Sequence, residues 1–264
     1  MERRRFLTAL AGSVAGAVVA AGCTARGADA AGTGDATPGV VPPPETPTGP
    51  PPPPPIQRFP VPGGAISVLP GDQPTLLLGI DDGVSTQAVL DYCTLVKDAD
   101  LRLVFFANGC YDSWAEARPV LAPLVESGRV QLANHTYTHP NLTQVSSSRV
   151  ASELRQNAEH FHGLYGVDLA RWYRPPYGAH NATVDSVTAS EGYHPPVVWA
   201  DSFVDWAPTS TEYYVQGAER CFQPRAVVLG HANKPDVTPA YPAFVDLIRS
   251  RGLRTVTLDD VFYA

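Results

Sequence analysis

Thr75-Leu76-Leu77-Leu78-Gly79-Ile80-Asp81-Asp82-Gly83 is the stretch from which the fold can be read. Its apolar part is too short for a buried helix and ends in a polar turn, so it reads as a buried strand entering a loop. Further strand-like runs lie at 101–107, 129–133, 170–173, 196–200, 225–230 and 254–258. Helix-like segments near 84–98, 114–127, 144–163, 181–191 and 238–251 alternate with them. Such β-then-α alternation predicts an α/β fold with a parallel sheet under covering helices. About seven parallel strands, in fewer residues than a full eight-stranded barrel uses, predict an incomplete (β/α) barrel. Asp81 and Asp82 then stand at the C-terminal end of a strand, where active sites of parallel α/β proteins gather. One of them could instead cap the helix that begins near Val84.

Other chemistry-bearing residues follow their own apolar runs. His135 and His139 come directly after Val130-Gln131-Leu132-Ala133, inside Asn134-His135-Thr136-Tyr137-Thr138-His139-Pro140. In a helical turn, side chains four apart share a face and converge on one ion. With Asp82 they make a set of two histidines and one carboxylate. That set suits zinc with an open position or a non-haem ferrous site, and Asp81 remains free as a base beside it. Arg174 lies in Arg174-Pro175-Pro176-Tyr177-Gly178, a loop stiffened by two prolines and able to aim a guanidinium or a backbone N–H. Asp205 and His231 each stand beside an apolar run of their own, His231 after Ala226-Val227-Val228-Leu229-Gly230.

The order of these five segments resembles that of the polysaccharide deacetylases, carbohydrate esterase family four, over roughly residues 74 to 260. The resemblance implies a distorted (β/α) barrel and a divalent metal, usually Zn²⁺, held by Asp82, His135 and His139. It further implies Asp81 as general base, Arg174 as its orienter, and His231 as general acid supported by Asp205. Tyr177 would offer a backbone N–H to the oxyanion, with Trp206 and Leu229 walling the pocket for the acetyl methyl group. Two positions depart from the family pattern. Gly79-Ile80 stand where Thr-Phe is usual. In the fourth motif, usually D-x-x-D-W, the first acid is either replaced by Ser202 or shifted to Asp201.

These roles match what amide hydrolysis needs: an activated water, a stabilised oxyanion and a proton for the leaving amine. An arginine beside Asp81 favours a base there, and a carboxylate beside His231 favours an acid. The expected function is therefore metal-dependent removal of N-acetyl groups from a cell-wall polysaccharide, with N-acetylglucosamine or N-acetylmuramic acid units as substrate. The same chemistry would serve an O-acetyl esterase on a xylan-like glycan. A non-catalytic glycan-binding lipoprotein would have no need of base, orienter and acid together. A ferrous oxygenase would leave the second acid and His231 unexplained.

Residues 1–22 predict a signal peptide. Arg3-Arg4-Arg5-Phe6-Leu7 resembles a twin-arginine motif, and a weakly apolar stretch ends in Ala20-Ala21-Gly22-Cys23, which looks like a lipobox. Lipidation at Cys23 would anchor an exported protein on the outer face of a bacterial membrane. Ordinary cleavage near residues 28–31 would secrete it instead. Residues 23–62, with Pro50 to Pro55 unbroken, read as an extended linker whose reach is on the order of 100 Å. The catalytic domain is expected over 63–264. A formal charge of −7 argues against nucleic acid as a partner, since phosphate binding needs clustered Lys and Arg. Trp172, Tyr177, Trp199 and Trp206 either stack on sugars or pack in the core. Of the domain's three cysteines, Cys93 and Cys110 flank one strand unit and are the expected disulfide. Nothing in the sequence defines an oligomeric state.

Overall fold

The computed structural model describes residues 54–263 apart from Ala170 and Pro208. The expected signal peptide, Cys23 and most of the expected linker lie outside the described residues. In chain order the elements are β1 (Phe59–Pro60), β2 (Thr75–Asp82), α1 (Thr86–Ala99), β3 (Leu103–Ala107), α2 (Ser113–Glu126), β4 (Val130–Asn134) and α3 (Ser147–Tyr165). They continue with α4 (Ala182–Ser190), β5 (Asp201–Ser202), α5 (Thr211–Cys221), β6 (Val227–His231), α6 (Tyr241–Ser250), β7 (Arg254–Thr255), α7 (Leu258–Val261) and β8 (Phe262–Tyr263).

β2 is buried along its whole length, which is why its sequence is continuously apolar rather than alternating: a parallel strand is covered on both faces. Leu76, Leu78 and Ile80 point one way, into a cluster with Val89 and Val96 of α1, Trp114 of α2 and Phe244 of α6. Leu77 points the other way and joins Val104 and Phe106 of β3, Ala133 of β4 and Val227 of β6 in the barrel interior. The same two-residue period sorts every central strand between these clusters.

The main sheet runs β4-β3-β2-β6-β5, and β7 also pairs with β2. All of these pairings are parallel. Beyond β4 the expected strands at 170–173 and 196–200 shrink to single bridges, Asn134 with Tyr173 and Ile66 with Val197. Pro175-Pro176 and Pro195-Pro196 explain the loss, since proline brings no N–H to a ladder. The sheet is therefore open and the barrel distorted and incomplete.

Two other expectations change. Residues 54–62, assigned by sequence to the linker, belong to the packed fold: β1 pairs in parallel with β8, and Ile56, Phe59 and Val61 pack against the interior cluster. Cys93 and Cys110 do not form a disulfide. Cys93 sits wholly buried on α1, where burial pushes its thiol up to about 12, while Cys110 is exposed after β3. Among the described residues no helix is long and apolar enough to cross a membrane.

Candidate active site

Strand geometry sends neighbouring side chains to opposite faces, so Asp81 and Asp82 should diverge. They do not, because Asp82 adopts a left-handed backbone with φ of 70°. Both carboxylates thereby approach one ring: His135 Nε2 lies 3.6 Å from Asp81 Oδ2 and 3.5 Å from Asp82 Oδ1. Gly83 follows with φ of 93°, and a Cβ there would lie 2.0 Å from Cζ2 of Trp114. Glycine is thus required where the strand turns over the α2 tryptophan.

His139 Nε2 comes within 3.3 Å of Asp82 Oδ1. The helical turn expected between the two histidines is absent. Thr136 and His139 instead take left-handed φ values of 68° and 59°, and this irregular loop brings the rings to 4.9 Å between centroids. One ligand atom each from Asp82, His135 and His139 falls within 4.8 Å of the others. Asp82 Oδ1 is buried and has no hydrogen-bond partner among the described residues, which is costly unless a cation meets it. His135 Nδ1 lies 2.7 Å from the Arg174 carbonyl, so the proton belongs on Nδ1 and the Nε2 lone pair faces the carboxylates. This donor set fits a divalent ion, with Asp82, His135 and His139 as its holders.

Burial works to raise the Asp82 pKa, but the His135 and His139 rings and the Asn233 amide hold it below the usual carboxylate range. Asn233 donates to Asp82 Oδ2 at 2.6 Å. The sequence reading missed this residue, whose only signal is its place two residues after His231. For His139, burial and the neighbouring His135 lower the pKa, favouring the neutral ring that a metal needs.

Arg174 is fully buried beneath the acids. Its Nη1 pairs with Asp81 Oδ1 at 2.6 Å and donates to the Gly79 carbonyl at 3.3 Å. Its guanidinium carbon lies 4.0 Å above the Phe106 ring. Asp201 does not share in this site. It turns outward to Arg220, at 2.7 Å, while the buried Ser202 hydroxyl accepts the Val204 N–H. Nη2 of Arg174 has no hydrogen-bond partner among the described residues.

Across the β2–β6 pairing, His231 is the register partner of Asp81. Asp205 grips it twice, accepting its backbone N–H at 2.6 Å and lying 2.8 Å from Nδ1. Burial pulls the His231 pKa down, but Asp205, helped by Asp81 and Asp82, overrides this and pushes it up to about 9. The ring is thus charged at neutral pH, with Nε2 free to donate. Tyr177 and Trp206 flank the centre, exposed by 66% and 58%. Tyr177 meets the His139 ring at 4.7 Å and Trp206 the His231 ring at 6.3 Å. Leu229 is buried on β6 beside Gly79. Of the other aromatics, Trp172 is core and Trp199 is half-buried beside Gly178.

The sequence model of the polysaccharide deacetylases matches residues 69–196. A peptidoglycan-N-acetylglucosamine deacetylase of Bacillus cereus is 24% identical, over 73% of this chain and 70% of its own. Among solved structures, a family 4 carbohydrate esterase from Streptomyces lividans in complex with acetate is 28% identical with a TM-score of 0.62, covering 70% of this chain and 93% of that one. A family 4 pseudoenzyme from Bacillus anthracis, 19% identical with a TM-score of 0.67, shares the fold over 76% of this chain and 69% of its own.

Proposed function

Because the chain belongs to the polysaccharide deacetylase family, we propose that it is a metal-dependent hydrolase removing N-acetyl groups from cell-wall glycan. The observation that carries this reading is the pairing of two devices on adjacent strands. Asp81 is held by Arg174 at 2.6 Å beside the Asp82, His135 and His139 cluster. His231 is held by Asp205 at 2.8 Å one strand away. A glycan-binding protein without catalysis would have no use for both, and a loss of activity within the family would be expected to fall on one of them.

A divalent ion bound by Asp82, His135 and His139 would lower the pKa of a coordinated water and polarise the acetyl carbonyl. Asp81 takes the proton of the attacking water, and Arg174 aims its carboxylate while balancing its charge. His231 delivers the Nε2 proton to the leaving amine, and Asp205, which favours the charged ring beforehand, keeps it oriented through Nδ1. The Tyr177 N–H offers a donor to the oxyanion, with Trp206 and Leu229 lining the space for the methyl group. Zn²⁺ fits a set of two imidazoles and a carboxylate with an open position.

An amide is favoured over an ester because an amine departs poorly unprotonated, and His231 is built as an acid. A bacterial envelope address, with an anchor at Cys23 and an extended tether, favours peptidoglycan over xylan. The test is acetate release from N-acetylglucosamine oligomers, peptidoglycan and acetylated xylan, with and without added zinc. Release from xylan alone would replace the amidase reading by an O-acetyl esterase.

A further inference from the structure

Glu153 and Asn157 stand one turn apart on α3 and are both buried, exposed by only 1% and 0%. Nothing in the site described above uses them directly. Glu153 Oε2 accepts the backbone N–H groups of Tyr137 at 2.9 Å and Thr138 at 2.7 Å. Its Oε1 accepts the Thr138 hydroxyl at 2.6 Å and pairs with Arg149, also on α3, at 2.6 Å. Asn157 Oδ1 accepts the Gly109 N–H at 2.7 Å, and its Nδ2 donates to the Ala107 carbonyl at 2.8 Å and to Asn134 Oδ1 at 2.9 Å. Asn134 Oδ1 in turn accepts the Thr136 N–H at 2.8 Å. One helix face therefore ties down the end of β3, the end of β4 and the loop joining His135 to His139.

That loop needs holding. Thr136 and His139 are non-glycine residues in left-handed conformations, and such disfavoured geometry persists only where its surroundings over-determine it. Inside the loop the Thr136 hydroxyl accepts the His139 N–H at 3.1 Å. Anchors from outside are supplied by the asparagines and by Glu153. A buried carboxylate is costly in itself, yet this one meets three loop donors and one guanidinium and so is fully satisfied.

We propose that Glu153 is a positioning residue. Its carboxylate fixes the Tyr137–Thr138 peptide so that the His139 ring arrives at Asp82, and Asn157 sets the end of β4, from which the loop springs, against the end of the neighbouring β3. The assignment rests on reading Asp82, His135 and His139 as metal holders. It predicts that Glu153 sets metal affinity without touching the metal.

The test uses the full chain after chelation, with zinc binding followed by calorimetry and the visible spectrum of the cobalt(II) form reporting ligand geometry. Glu153→Ala should weaken zinc roughly 10- to 100-fold, the usual effect of losing a group that orients a ligand, and should alter the cobalt spectrum. Glu153→Gln, which keeps an oxygen for the two N–H groups, should recover most of the affinity. Thr138→Val, at an exposed position, removes one bond to Glu153 and should weaken zinc roughly 2- to 10-fold. Wild-type affinity and spectrum in Glu153→Ala would overturn the proposal. Should that variant not fold, wild-type affinity in Thr138→Val would do the same. His139→Ala separates the two readings: if wild type and this variant bind zinc equally, the metal assignment itself is wrong, whereas zinc lost in His139→Ala but kept in Glu153→Ala rejects the positioning role alone.

Discussion

Gly79 and Arg174 fill one space between them: a Cβ on Gly79 would stand 2.5 Å from Nη2 of Arg174 and 2.9 Å from Nη1. Both residues lie under Asp81, which follows Gly79 by two positions and so shares its face of β2. In this chain the absence of a side chain at position 79 leaves room for the buried guanidinium.

Gly79→Ala should push Arg174 off Asp81. Overpacking of this kind costs about 1–3 kcal/mol of stability. The misplaced base should lower kcat on the order of 10²-fold, with zinc content unchanged. Steady-state kinetics and a metal assay on one preparation check this, and a wild-type kcat would remove the packing argument.

His139→Ala should strip most bound zinc, since it removes one of three converging donors, the others being Asp82 and His135. In the wild type, saturating zinc at about 100 times its Kd should stabilise the fold by about 2.7 kcal/mol. Thermal melts with zinc or with chelator read both effects. Equal melting temperatures under the two conditions would count against the site.

Asp81→Asn and His231→Ala should each reduce kcat by about 10²- to 10⁴-fold while leaving metal content close to wild type. The contrast with His139→Ala is what identifies general acid and base. Near-normal turnover in either variant would remove that residue from the reaction.

His231 provides a pH signature. Its pKa, about 9 in the fold, lies above the roughly 6.5 of a free histidine. A raised folded pKa means stability fully present below pH ~6.5 and lost as pH rises through 9. Asp205→Asn should bring the pKa down and erase that alkaline loss. NMR titration of the imidazole in chelated protein measures the shift directly, and an unchanged titration in Asp205→Asn would show that the carboxylate is not its cause.

Cys23→Ser should move the protein from the membrane fraction to the soluble fraction, as the lipobox reading requires. Equal partitioning of wild type and variant would point to another mode of retention.

The central strands were legible because burial on both faces leaves a continuous apolar run, as in β2. The site's ingredients were legible because each stands where such a run ends. The helix α5 was not: Gly217 interrupts its middle, and only in the fold does that glycine make sense, lying where a Cβ would be 2.8 Å from the Phe203 backbone. The convergence of His135 and His139 was legible, but its means was not, since nothing marks threonine and histidine as left-handed in advance. Glu153 sits in Ser147-Ser148-Arg149-Val150-Ala151-Ser152-Glu153, which reads as a solvated helix start. Its burial depends on partners in another loop, and Asn233 likewise meets Asp82 only through strand pairing.

The pairing of the first strand with the last has a directional consequence. Pro54 accepts a bond from Arg254, and Arg254 is the register partner of Thr75, at the start of β2. Asp81 and Asp82 end the same strand, about 20 Å further along at ~3.3 Å per residue. Pro54 therefore lies at the floor of the domain, and the acids open at its roof. A probe fixed at Pro54 would grip the domain at the pole opposite the acids and leave their mouth uncovered.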